Sequence, residues 1–160
     1  MPSASDLLGD RRRVLVTGGA GFIGGAVVRR LLRETTVTVF NLDKMGYASD
    51  LSSIEEVLSE LGEAAKDRHR LQQVDLTDAA AVEAAVREAD PDLVMHLAAE
   101  SHVDRSISGP GVFIESNVNG TYNLLQAVRG HYEGLRGERR DFFRMHHIST
   151  DEVFGFLGAE

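Results

Sequence analysis

The eight residues from Thr17 to Gly24, TGGAGFIG, limit the fold of this chain more than any other stretch. They follow a continuous apolar run, RVLVTG (Arg13 to Gly18), and open a pattern in which Ile23, Val27 and Leu31 recur every four residues. An aliphatic, β-branched run without polar alternation predicts a strand covered on both faces, and the four-residue recurrence predicts one face of a helix. Glycines at the join allow a turn that side chains would block. A strand, a tight turn and a helix in that order predict a crossover unit of a parallel sheet.

The alternation continues along the chain. TVTVFNLD is a second strand, and LSSIEEVLSEL a short helix with Ser53 and Glu56 at capping-box spacing. RLQQVD is a third strand. Val82, Ala85, Val86 and Ala89 then stand at i, i+3, i+4 and i+7, a helix that Thr77 or Asp78 would cap. DLVMHLAA is a fourth strand, followed by a helical stretch from Gly111 to His131 with Ile114, Val118, Leu125 and Val128 on one stripe. FFRMHHIS is a fifth. Right-handed crossovers then predict an α/β fold, a Rossmann-like doubly wound parallel sheet of order 3-2-1-4-5. The domain is read as residues 13–160 behind a flexible segment, 1–12, and as incomplete, because later strands and a C-terminal substrate domain are expected in such folds.

Composition narrows the function. A chain of 160 residues supports one hydrophobic core. A net charge of -8 argues against nucleic acid or an anionic membrane as partner. MPSASDLLGDRRR has no apolar signal region, and no apolar run is long enough to span a bilayer. With no cysteine, disulfide and thiolate chemistry are excluded, and the expected compartment is the cytoplasm.

The glycine turn reads as G-x-G-x-x-G from Gly19, or as G-x-x-G-x-x-G through Gly18, Gly21 and Gly24. Such a turn lets backbone approach a pyrophosphate at the positive end of a helix. Asp43 ends the second strand, nineteen residues after Gly24, where a carboxylate accepts ribose hydroxyls and repels a 2′-phosphate. Turn, strand–helix context and Asp43 together predict a dinucleotide site that prefers NAD to NADP, a preference that the neighbouring Lys44 weakens. Asp75 ends the third strand, as a reader of adenine or as a turn carboxylate. Ala98 and Ala99 end the fourth, as room for a cofactor or as helix packing. Thr150, Asp151 and Glu152 follow the fifth, either as a helix start or as an acid–base pair beside a redox site. His146 and His147 read as strand residues, and no metal spacing occurs.

The segments TGGAGFIGGAVVRRLL, LDKMGYASDLSSI, HLAAESHVDRSI, ESNVNGTYNLLQAVR and HHISTDEVFG together resemble the extended short-chain dehydrogenase/reductase family. AAESHVDRSI and STDEV resemble its nucleotide-sugar 4,6-dehydratase branch, over about the N-terminal half of such enzymes. The resemblance implies a lyase in deoxysugar biosynthesis that uses NAD and acts on dTDP-glucose, with a UDP-glucose enzyme or a non-catalytic NAD-binding remnant as alternatives. It implies cofactor contacts from Phe22, Ile23, Asp43, Lys44, Met45, Gly46, Asp75, Leu76, Leu97, Ala98, Ala99, Glu100, Ser101 and Ser116. It also implies substrate contacts from Ser101 and Thr150, Asp151 as acid, Glu152 as base, and a homodimer. The family's Tyr-x-x-x-Lys pair is missing: Tyr47, Tyr122 and Tyr132 have no lysine four residues on. Position 154 is Phe where the family usually has Tyr. The chain is therefore expected to be a truncated enzyme, inactive alone.

Overall fold

The computed structural model describes residues 4–150 together with 153 and 155. Its sheet has five parallel strands in the order β3-β2-β1-β4-β5, as the crossover argument predicted. These are β1 (Arg13–Thr17), β2 (Thr38–Asp43), β3 (His69–Gln73), β4 (Leu93–His96) and β5 (Arg144–His147). Register runs Val14 beside Val39 on one flank of β1 and Val14 beside Leu93 on the other. All five strands therefore bring their carboxyl ends to one edge.

Alternating side chains divide between two cores, one on each face. Val14, Val16 and Val39 point towards α2 (Phe22–Glu34) and α3 (Ser52–Leu61), where Val28, Leu32, Ile54 and Val57 are buried. Leu15, Phe40, Leu42 and Val94 point the other way, onto Val82 and Val86 of α5 (Ala79–Ala89) and Leu124 and Val128 of α8 (Thr121–Gly134). A fully buried side chain of this size contributes about 1.5–3 kcal/mol. Each face has several, and the sheet is a double-sided scaffold.

Three differences from the sequence reading have local causes, and of the two caps expected for α5 the structure uses one. Where a flexible segment was expected, α1 (Ala4–Leu8) forms: Leu8 is buried in the α2 core, and Ser5 Oγ donates to the carbonyl of Glu34. The expected Ser53–Glu56 capping box is not made. Asp50 accepts from Ser52 N–H instead, and Ser53 Oγ accepts from Arg29. For α5 the cap is Asp78, which accepts from Ala81 N–H. Finally, the helix expected over Gly111 to His131 is three pieces: α7 (Pro110–Phe113), a π-helical segment (Ile114–Gly120) and α8. The wider π coil shifts the helical phase. Ile114, Val118 and Leu125 of the expected stripe are exposed, and Leu124 joins Val128 in the core. The short helices α4 (Glu63–Lys66), α6 (Val103–Ser108) and α9 (Gly137–Phe142) carry no periodic signal in sequence.

Candidate cofactor site at the carboxyl edge

The glycine turn sits where β1 hands over to α2, and its geometry admits no larger residues. Gly18 has φ +69°, and a Cβ there would lie 2.7 Å from the Ala98 backbone at the end of β4. A Cβ on Gly24 would run into the Gly18 carbonyl, and one on Gly19 into the buried side-chain oxygen of Asn41. Gly21 N–H donates to the Gly18 carbonyl at 3.1 Å, closing the turn. Gly21 then caps α2 without any side-chain hydrogen bond. The first N–H groups of α2 thus face the edge uncapped at the positive end of the helix. Phe22 and Ile23 beside them are largely exposed, Phe22 at 95%.

Asp43 lies at the end of β2, as expected, but is more committed than the sequence suggests. Its Oδ2 accepts from Ala20 N–H at 3.0 Å, and Oδ1 accepts from Met45 N–H at 2.9 Å and the Ser49 hydroxyl at 2.7 Å. Asp43 is buried and ties the glycine turn to the loop after β2. A carboxylate oxygen has about two lone-pair sites, and Ala20 N–H occupies one of those on Oδ2. Met45 holds φ +58°, an uncommon conformation for a side-chain-bearing residue. Lys44 Nζ, instead of facing solvent, lies 2.6 Å from Glu100 Oε1.

The other strand ends converge there too. Asp75 is exposed, and its Oδ1 accepts from both the N–H and the hydroxyl of Thr77. That is the turn role. Leu76 is buried under Gly120, and its carbonyl accepts from Asn123 at 2.9 Å. Leu97 packs against the α2 core and Ala98 against the α5–α8 core, whereas Ala99 is exposed. Ser101 lines an open pocket of about 500 Å³ with Tyr47, Ala48, His102 and Asp104, between the loops after β2 and β4. Ser116 stands in the π-helical segment, one residue before Asn117. A larger groove, about 560 Å³, runs between α5 and α8 in the helical layer, apart from the glycine turn. The turn, not this groove, has converging backbone donors.

Three residues that sequence reading passed over hold the edge together. His96 is buried at the end of β4, its Nδ1 2.6 Å from Thr17 Oγ1 and its Nε2 2.9 Å from Thr121 Oγ1. Ala98 N–H also donates to Thr17 Oγ1, so the loop after β4, the Thr17 hydroxyl, the imidazole and the Thr121 hydroxyl form one hydrogen-bonded chain. Burial, with a smaller contribution from His147, pushes His96 down to a pKa of about 4, so the ring is neutral near pH 7. Asn117 and Asn123 clamp backbone with their amides. Asn117 accepts from Glu100 N–H and donates to its carbonyl, both at 2.8 Å. For His96 the sequence signal was a polar side chain inside an otherwise apolar strand; Asn117 and Asn123, in a polar stretch, had none.

After β5, Ile148 N–H donates to the His96 carbonyl, which brings the following segment to the same edge. Thr150 is exposed there, and its carbonyl accepts from Val153 N–H at 3.4 Å. Asp151 and Glu152 lie outside the described residues, as does Phe154. Among the described residues, no group of three His, Cys, Asp or Glu is placed to hold a metal, and no helix is long and apolar enough to cross a membrane.

Similarity to known proteins agrees with this geometry. The family model described as GDP-mannose 4,6 dehydratase matches residues 15–160. The dTDP-glucose 4,6-dehydratase of Neisseria meningitidis serogroup B is 51% identical over 148 residues, covering 92% of this chain and 40% of that protein. The chain thus spans about two fifths of the length of the relatives it matches. The crystal structure of DesIV, a dTDP-glucose 4,6-dehydratase from Streptomyces venezuelae with NAD and TYD bound, superposes with a TM-score of 0.72 at 38% identity, covering 92% of this chain and 42% of that one. A UDP-glucose-4-epimerase from Stenotrophomonas maltophila with bound NAD superposes at 0.71 and 26% identity, covering 92% and 40%. Fold, glycine turn and likeness agree: the chain belongs to the GDP-mannose 4,6 dehydratase family.

Proposed function

We propose that this chain is the NAD-binding part of a nucleotide-sugar 4,6-dehydratase acting on dTDP-glucose. The observation that supports this most is the turn without room for a Cβ, beside Asp43 and Ala98, in a chain 51% identical to a dTDP-glucose 4,6-dehydratase. The uncapped start of α2 would receive the pyrophosphate through backbone N–H groups at Phe22, Ile23 and Gly24. Asp43 would accept a ribose hydroxyl, and the loops Asp75–Leu76 and Leu97–Ser101, with Ser116, would flank the cofactor. Bound there, NAD supplies a reversible hydride acceptor for C4 of the hexose.

The residues after β5 do the proton work in this reading. Thr150 would hydrogen-bond the C4 oxygen. With C4 as a ketone, the C5 proton is acidified and Glu152 removes it, while Asp151 protonates the departing C6 hydroxyl. Opposite roles for adjacent carboxyls require environments that hold one protonated and one ionised. Ser101, in the open pocket beside Tyr47, would meet the sugar. The exposed Val112, Ile114, Val118 and Leu125 form a face suited to a homodimer.

Calorimetric titration of NAD and NADP tests the cofactor reading. NAD is expected to bind more tightly, and Asp43→Ala should weaken NAD; equal affinities in the native chain would refute it. To test the substrate, the chain can be mixed with a separately expressed C-terminal half of a relative. Product from dTDP-glucose, lost in Asp151→Asn and Glu152→Gln, is expected. Product from UDP-glucose alone would shift the assignment to that substrate.

A further inference from the structure

Lys44 works against NAD in the sequence, since a cation beside the ribose carboxylate favours a 2′-phosphate. The structure commits that cation elsewhere. The Lys44 stem lies across Gly46, where a Cβ would come 3.2 Å from Lys44 Cε. Its Nζ is 2.6 Å from Glu100 Oε1, and the Glu100 side chain is only 10% exposed. Asn117 fixes the Glu100 backbone by accepting from its N–H and donating to its carbonyl, both at 2.8 Å, so the side chain starts from a set position. On the other side, Met45 at φ +58°, bonded to Asp43 Oδ1, fixes the direction in which the chain leaves β2.

The pair joins the loop after β2 to the loop after β4, strands that flank β1 on either side. It therefore crosses the crevice where the strand order reverses, the place where open α/β sheets bind ligands. Tyr47 and Arg105 make a second connection, from the loop after β2 to α6, with the guanidinium 3.8 Å from the ring centroid.

We propose that Glu100, pinned by Asn117, is a specificity-determining residue: it withdraws the Lys44 cation so that Asp43 alone faces the 2′ position of the dinucleotide. This rests on the NAD reading above. Without Glu100, a four-carbon stem beside Asp43 is free to place its ammonium near a 2′-phosphate, offsetting the repulsion from Asp43. With Glu100 present, Lys44 is neutralised by a largely buried partner through a short charge-assisted hydrogen bond.

The test is calorimetric titration of NAD and NADP into the native chain, Glu100→Gln, Lys44→Met and the double variant. Glu100→Gln should tighten NADP about tenfold relative to NAD, the size expected for one freed charge-assisted hydrogen bond. The double variant should return to the native ratio, because the freed cation is gone. Lys44→Met alone should change the ratio less than about twofold, which keeps the proposal testable if Glu100→Gln does not fold. A native ratio in a folded Glu100→Gln, a shifted ratio that persists in the double variant, or NADP weakened by Lys44→Met would each overturn it. NAD binding with an unmoved ratio rejects this inference alone, whereas a native chain that binds neither dinucleotide rejects the NAD reading and this inference with it.

Discussion

Strands β1 and β5 belong to one sheet and end on one edge, yet their surroundings are opposite. In β1 every residue after Arg13 is buried, and β2 is buried from Val39 to Asp43. In β5 only Met145 is partly covered, while Arg144, His146 and His147 are exposed. Both faces of β1 carry helices; one flank of β5 pairs with β4, and its faces contribute a single residue to a core. The β1–β2 side assembles the glycine turn and Asp43 from within the described chain. The β5 side delivers Thr150 to the edge from a strand with little packing of its own. In the proposed reading, cofactor binding and proton transfer therefore rest on parts of unequal support.

The largest expected contrast is in catalysis. The purified 160-residue chain should bind NAD yet form no 4-keto-6-deoxy product from dTDP-glucose. Elimination needs a C4 ketone first, and making it needs a base for the C4 hydroxyl. Tyr47 stacks beneath Arg105, and Tyr122 and Tyr132 lie on α8, none with a lysine four residues on. Losing one positioned base costs about 10²–10⁴-fold. Weak positioning of the sugar can add about 7–11 kcal/mol to the barrier. Product formed by the chain alone would show that the β5 side already holds a base.

Next in size is Gly18→Ala. Its Cβ would meet Ala98 backbone, which cannot rotate away, and φ +69° adds strain for any side chain. Together these should cost about 2–4 kcal/mol in urea unfolding and remove NAD binding. An unchanged midpoint would mean that β1 and β4 separate readily, and the contrast with β5 would lose its basis.

Acid should act on the buried side through His96. Its pKa is pushed down to about 4, below an ordinary value near 6.5, so the folded state binds fewer protons than the unfolded one in between. Stability is full above about pH 6.5 and falls as pH drops towards 4, by about 3 kcal/mol at most. His69, lowered by burial and then by Arg70, acts in the same direction. His96→Gln should flatten the slope in that window. A slope equal in both proteins would place the acid sensitivity elsewhere.

How much of this was legible in the sequence depends on the distance over which each feature is determined. The strands and their order could be read because each is a local apolar run and crossover handedness does the rest. Gly18 and Gly24 could be read because the turn is local. Asp43 was found, but not its bonds to Ala20, Met45 and Ser49, since those depend on how two loops meet. His96 reads as one polar residue in an apolar strand, and its two threonine partners stand 79 and 25 residues away. The π-helical segment has no periodic signature, so the expected stripe misses that Ile114 and Val118 are exposed, and within α8 it is Leu124, not Leu125, that is buried with Val128. The Ser53–Glu56 capping box was misleading because the Ser53 hydroxyl accepts from Arg29 on α2, a contact that local spacing does not reveal, while Ser52 N–H donates to Asp50.

The smallest effect expected is also the sharpest probe of the contrast. His146 pairs in register with Met95, but its side chain is exposed, so His146→Ala removes little contact. Exposed sites away from special features change stability by about 0.5 kcal/mol or less. The expected result in dilute solution is an unfolding midpoint within that range of the native chain. The same experiment at rising protein concentration asks whether something covers the strand. An exposed edge strand and the apolar face of Val112, Ile114, Val118 and Leu125 both favour self-association. If copies associate across the helical face, light scattering should show the association while His146→Ala remains silent. If they associate across β5, the substitution should become costly only at high concentration. A cost above about 1 kcal/mol at every concentration would mean that His146 is packed within a single chain, and the two ends of the sheet would then differ far less than their exposure indicates.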